Sequence, residues 1–213
     1  MEVKELLQNI PLNQKVCYLG NQEDPKRVYL LLHGFSLTGQ FMIDFFKSIL
    51  KEDELLIAPN APFPAPVQTK SGYKEGYSWY FFDSKKNHYY IDYQSAYACL
   101  YPLLLDYKEV ETTLIGYSQG GYLAPYFAAN YQDQLNIKQV ITLGASRRAD
   151  YIPEKLDFDL YCINGSFDTI VEYKKAIELL GPLLKKAQRS KQITIEQAHR
   201  LNPEYLNSLK NLL

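Results

Sequence analysis

Three cysteines, three histidines, two methionines and one tryptophan are all that 213 residues provide of these types, and each scarcity excludes something. Cys17, Cys99 and Cys162 are odd in number and share no short spacing, which argues against a disulfide framework and against a zinc site. Each sits among apolar neighbours, so buried thiols in a protein of the reducing cytoplasm are expected. No apolar run approaches the roughly 18 residues that span a bilayer. The opening "MEVKELLQNI" has acidic residues and lacks the apolar core of a signal peptide. The formal net charge is -1, so no global field recruits nucleic acid or an anionic membrane, and neither is expected as a stable partner. The basic pairs Lys185-Lys186 and Arg147-Arg148 read as solvated surface. Nothing in the pattern specifies an oligomeric state.

What remains is an ordinary globular composition, 46% hydrophobic and 22% charged, in a length that fits one domain over residues 1–213. Nineteen tyrosines are the unusual count. Many fall between residues 71 and 107, where they read as amphipathic packing residues near the surface, with a sugar- or peptide-binding wall as the alternative.

Short apolar runs alternate with longer amphipathic ones. Strands are expected at "RVYLLLH" (27–33), "ELLIAPN" (54–60), "TTLIGYS" (112–118), "KQVITLG" (138–144), "FDLYCING" (158–165) and "KQITIE" (191–196). Helices are expected at 39–50, at 93–107 with a break or bend near Pro102, at 119–131 with a kink at Pro125, at 171–187 with a bend near Gly181-Pro182, and at 202–213. Alternation of this kind indicates a mostly parallel sheet with helices on both faces, and continuous apolar strands are what such a sheet buries. Residues 59–92, rich in proline, glycine and aromatics, fit no period. An excursion near the mouth of a site is expected there.

The chemistry concentrates at "GYSQG", residues 116–120. G-x-S-x-G alone is a weak motif; at a strand-to-helix boundary it describes a tight turn that presents a serine at a helix N-terminus. Glycines two residues either side remove the Cβ atoms that would collide there, and the helix end favours a developing anion. Ser118 needs a base, and the base needs an orienting acid. Of three histidines, His33 is expected to be structural within its loop and His88 to be exposed in "KKNHYY". That leaves His199, after the last strand, as the base. Asp168, in the Gly-containing loop "NGSFD" after a strand, is the best-placed acid; Asp150, Asp157, Asp159 and Glu172 are competitors. Backbone N–H groups of Gln119, next to the serine, and of Phe35, in the loop after His33-Gly34, are the expected oxyanion donors. Trp79, Phe82 and Phe63, in the irregular segment, are candidates for an apolar substrate wall.

With these residues in order, the chain resembles the α/β-hydrolase superfamily, and within it the phospholipase/carboxylesterase group that includes acyl-protein thioesterases and small bacterial carboxylesterases. The resemblance is carried by "LLHGFSLTGQF", "APNAPFPAPV", "SWYFFD", "GYSQGG", "GSFDTIV" and His199. It implies a minimal cap, no metal or organic cofactor, and a serine esterase acting on small-molecule or acylated esters and thioesters. It also supports the same triad and the same oxyanion donors. Departures are Ala198 where relatives carry glycine before the histidine, and Asn164-Gly165 where they carry His-Gly. The loop after His33-Gly34 differs as well, which marks a divergent member. The alternatives are a catalytically inactive binding module on the same fold, and a lipase or thioesterase with another acyl preference.

Overall fold

The computed structural model describes residues 12–148 and 150–213; the reading of the opening decapeptide lies outside them. Strands β1 (Val16–Gly20), β2 (Arg27–Leu32) and β3 (Glu54–Pro59) come first, with α1 (Gly39–Phe46) between β2 and β3. The excursion then holds β4 (Phe63–Pro64), β5 (Val67–Thr69), β6 (Gly72–Lys74), β7 (Tyr77–Ser78), β8 (Phe81–Asp83) and β9 (His88–Ile91). Next come α2 (Gln94–Leu104), β10 (Glu111–Tyr117), α3 (Gln119–Tyr131), β11 (Ile137–Leu143) and β12 (Asp159–Gly165). The chain ends in α4 (Tyr173–Leu184), β13 (Ser190–Ile195) and α5 (Pro203–Lys210).

Seven strands form one sheet in the order β1-β3-β2-β10-β11-β12-β13. All pairs are parallel except β1 against β3. Side chains alternate across a strand, and the two resulting faces build two cores. Val28, Leu30, Leu32, Leu114, Val140 and Leu160 face α2, α3 and α4, packing on Tyr97, Leu100, Phe127 and Leu180. Tyr29, Leu31, Ile115, Ile141 and Ile163 face α1 and α5, packing on Met42, Phe46, Tyr205 and Leu209. The strands read as unbroken apolar runs because both faces are covered.

Several boundaries differ from the sequence reading. The expected helix over 39–50 is α-helical only to Phe46 and closes with a tighter turn over Lys47–Ile49. That over 93–107 likewise tightens at Leu105–Tyr107, past Pro102. Pro125 sits inside an α3 that runs unbroken from Gln119 to Tyr131. Strand β1, the apolar run VCYLG, was missed from sequence: it is a half-exposed edge strand that leads directly to β2 with no helix between, so it falls outside the strand–helix alternation. Of the three cysteines only Cys162 is fully buried; Cys17 and Cys99 are half-buried. The excursion is not structureless: β4 pairs with β7, β5 with β6, and β8 with β9, all antiparallel.

Phe127 is fully buried in the helical layer over β10 and β11. Phe127→Ala is expected to lower the free energy of unfolding by about 3–5 kcal/mol through lost contact and a residual void, measured by urea denaturation.

Candidate active site

The carboxyl ends of β2, β10, β12 and β13 meet at one edge of the sheet, where an open parallel sheet binds its ligands. Ser118 stands there between β10 and α3 with φ 48° and ψ −115°, a left-handed backbone that side-chain-bearing residues avoid. Such strain survives only where the surroundings over-determine it. Here they do: the Ser118 N–H donates to Leu143 O at 2.9 Å and the Tyr122 N–H to Ser118 O at 3.0 Å. A Cβ on Gly116 would lie 2.3 Å from Gly120 O, and one on Gly120 would lie 2.2 Å from Leu32 O. Both contacts are with backbone, so glycine is required by close approach rather than by dihedral freedom.

Three polar side chains converge on this turn. His199 Nε2 is 2.9 Å from Ser118 Oγ, and His199 Nδ1 is 2.6 Å from Asp168 Oδ2. Asp168 is buried, and its other oxygen accepts the N–H groups of Ile170 at 2.9 Å and Val171 at 2.8 Å. Those two bonds fix the carboxylate, so its remaining oxygen faces the imidazole. With Nδ1–H donating to Asp168, Nε2 is the acceptor for the serine hydroxyl. Tyr117 stacks on the imidazole, with ring centroids 5.4 Å apart, and its hydroxyl donates to His199 O at 3.2 Å.

The competing acids are engaged elsewhere. Asp150 and Asp92 pair with Arg148, Asp159 with Arg189 and Asp157 with Lys155. Glu172 is exposed at the start of α4. His88 is exposed. His33 is fully buried; its Nδ1–H donates to Gly34 O at 2.7 Å and its Nε2 accepts the Ala61 N–H at 3.0 Å. Burial pushes its pKa down to about 4, so at neutral pH it is an uncharged brace joining the Gly34 loop to the excursion. Its carbonyl accepts from Gly120 N–H at 3.1 Å and from Trp79 Nε1–H at 2.8 Å. The loop carrying Phe35 is thereby tied to the serine turn. Among the described residues, no protein acceptor is bonded to the N–H of Phe35 or of Gln119.

Beside Ser118 lies a cavity of about 530 Å³ lined mostly by apolar groups, including Phe35, Phe81, Phe82, Tyr89, Tyr122 and Ile170. Phe82 lines this cavity. Trp79 and Phe63 do not. Trp79 is fully buried, its ring on His33 and its indole N–H spent on the His33 carbonyl. Phe63 is held in β4 against Ser78. The segment expected to present them is drawn inward by Gln119, whose side chain donates to Ser78 Oγ and Tyr80 O at 2.9 Å and accepts the Trp79 N–H at 3.0 Å. That anchoring role of Gln119, the stacking of Tyr117 and the burial of Arg148 were missed from sequence. Arg147-Arg148 is not the solvated pair expected: the Arg148 side chain is 10% exposed.

Compared with known proteins, the chain matches the family described as "Serine hydrolase (FSH1)" over residues 23–204. It belongs to that family. No curated protein matches it. Among solved structures it resembles a carboxylesterase from Mesorhizobium loti, with 16% identity over 96% of this chain and 98% of that one, at a TM-score of 0.72. It resembles acyl-protein thioesterase 2 of Zea mays at 16% identity over 93% and 96% of the two chains, with a TM-score of 0.68. The Bacillus cereus carboxylesterase is alike at 16% identity over 93% and 92%, again at 0.68. These likenesses establish the α/β-hydrolase fold of this serine hydrolase. No helix among its described residues is long and apolar enough to cross a membrane.

The buried His33 gives a stability test. Its folded pKa lies below the ordinary value of 6.5, so the unfolded chain binds more protons between the two. The stabilisation is complete above pH 6.5 and is lost as pH falls toward 4. In His33→Gln, the loss of unfolding free energy between pH 7 and 4 is expected to be smaller by about 3 kcal/mol, measured by urea titrations at each pH.

Proposed function

We propose that this serine hydrolase cleaves carboxylic esters or thioesters through an acyl-enzyme, with Ser118 as nucleophile, His199 as general base and acid, and Asp168 as the group that orients the imidazole. The observation that carries the reading is the continuous chain of short contacts, 2.9 Å from Ser118 Oγ to His199 Nε2 and 2.6 Å from His199 Nδ1 to Asp168 Oδ2. Membership of a serine hydrolase family over residues 23–204 supports it, and likeness to carboxylesterases and an acyl-protein thioesterase favours an ester or thioester as the bond cleaved.

Ser118 Oγ attacks the acyl carbon while Nε2 takes the hydroxyl proton. The carbonyl electrons move onto oxygen, which is held by the N–H groups of Phe35 and Gln119 and by the positive end of α3. The tetrahedral species collapses. The alcohol or thiol leaves with the proton from Nε2, and the acyl group stays on Oγ. Water then attacks the acyl carbon as Nε2 accepts its proton, and collapse returns that proton to Ser118 and releases the carboxylic acid. Asp168 keeps its negative charge throughout and stabilises the imidazolium. The reaction needs no metal or organic cofactor. The apolar cavity beside Ser118 receives the acyl part of a small-molecule or acylated substrate. A single domain over residues 1–213, acting in the cytoplasm without nucleic acid or a stably bound membrane, completes the reading.

Ser118→Ala is expected to lower kcat on p-nitrophenyl esters by at least about 10⁴-fold, and Asp168→Asn, which leaves the imidazole in the wrong tautomer, by about 10⁴-fold. Both are read by release of p-nitrophenol, with mass spectrometry of a fluorophosphonate adduct to locate the modified residue. Equal rates for wild type and Ser118→Ala would reject the serine mechanism.

A further inference from the structure

The cluster that the catalytic reading leaves unused is built around Arg148. Its guanidinium carbon lies 4.6 Å from the ring centre of Tyr89, 4.5 Å from that of Tyr93 and 5.8 Å from that of Tyr126. Its Nε and Nη2 bond both oxygens of Asp150 at 2.7 and 2.8 Å, and Nη1 reaches Asp92 at 3.1 Å. The loop that carries it is itself fastened to α4, through Ser146 Oγ to Ala176 O and Arg147 Nε to Leu179 O.

Position makes this cluster informative. Among the described residues, Arg148 alone lines both the apolar cavity beside Ser118 and a separate polar groove of about 650 Å³ bounded by Tyr97, Asn130 and Tyr151. Part of the wall of the apolar cavity comes from the β8–β9 hairpin, through Phe81, Phe82, Ser84 and Tyr89. That hairpin is short, and its register is broken between Phe81 and Phe82. A lone two-stranded hairpin is marginal in water, so its place depends on what its side chains are packed against. Tyr89 meets Tyr93 at 5.6 Å and Tyr80 at 5.9 Å; Tyr89 and Tyr93 lie against the Arg148 cation, and Tyr80 packs on both rings.

We propose that Arg148 is a specificity-determining positioning residue: it clamps the β8–β9 hairpin as a wall of the acyl cavity and closes that cavity off from the polar groove. The proposal rests on Ser118 as the nucleophile with the acyl group in the adjoining cavity. With the hairpin as part of that wall, a longer acyl chain on Ser118 has more of the cavity to fill than an acetyl group and depends more on Phe82 and Tyr89. Loss of the clamp therefore weakens binding of longer chains while the serine turn, held by its own bonds to Leu143 and His33, stays assembled. Arginine is required, since only its planar fork can pair with Asp150 through two bonds while stacking on aromatic faces.

The test compares kcat and KM of wild type, Arg148→Met, Arg148→Lys, Asp92→Asn and Ser118→Ala on p-nitrophenyl acetate and octanoate. In Arg148→Met the octanoate-to-acetate ratio of kcat/KM is expected to fall about tenfold, through KM for octanoate. Arg148→Lys falls similarly, and Asp92→Asn, away from the cavity wall, falls in the same direction by about twofold. General destabilisation would lower both esters alike and leave the ratio unmoved. An unchanged ratio in Arg148→Met overturns the proposal, as does its restoration by lysine. If Arg148→Met does not fold, an unchanged ratio in Asp92→Asn overturns it. Activity persisting in Ser118→Ala would instead overturn the nucleophile assignment, so the two failures are distinct.

Discussion

The backbone-to-backbone approach at Gly116 and Gly120 is the constraint on which the rest of the site depends. Because neither residue carries a Cβ, β10 turns straight into α3 against the end of β2, with no intervening loop. Ser118 is left at the vertex in a left-handed conformation that the bonds to Leu143 and Tyr122 hold in place. A longer connection would relieve the strain, but it would also let the hydroxyl swing. Rigidity at the vertex is what allows a side chain from the loop after β13, three positions away in the sheet, to meet it at 2.9 Å.

Around that vertex, polar groups dispersed along the chain serve one another. His33 is uncharged, buried and doubly bonded, and its carbonyl ties the Phe35 loop to Gly120 and Trp79. Gln119 contributes its backbone at the helix end and spends its whole side chain on the 78–80 segment. The excursion is thus held against the turn by a histidine and a glutamine rather than by a sheet of its own. One consequence is that the apolar cavity is bounded by a weakly paired hairpin, whose stability comes from tyrosines and Arg148.

The family match, the fold and the geometry bear on different levels of the claim. Family membership over residues 23–204 makes this a serine hydrolase, and likeness at 16% identity speaks for architecture. The roles of individual residues are our proposal, supported by the distances at the serine turn. The wall around the cavity beside Ser118 is also where the chain departs most from a periodic pattern.

Much of this was legible in order along the chain. Unbroken apolar strands alternating with amphipathic helices required a parallel sheet covered on both faces, because a strand with no polar side has nowhere else to go. "GYSQG" at a strand end, with Asp168 and His199 at later strand ends, put three reactive side chains on one edge, since parallel strands all finish there. The edge strand β1 was missed although VCYL is an apolar run, because it pairs antiparallel at the edge and no helix separates it from β2, so it stands outside the alternation. Tertiary structure alone decided the rest. Trp79 went inward because its indole N–H found the His33 carbonyl, and Arg148 was buried because three rings and two carboxylates met its charge. Asp150 apart, which lies two residues from Arg148, none of these partners is near in sequence, and no local pattern reports a contact that only folding creates.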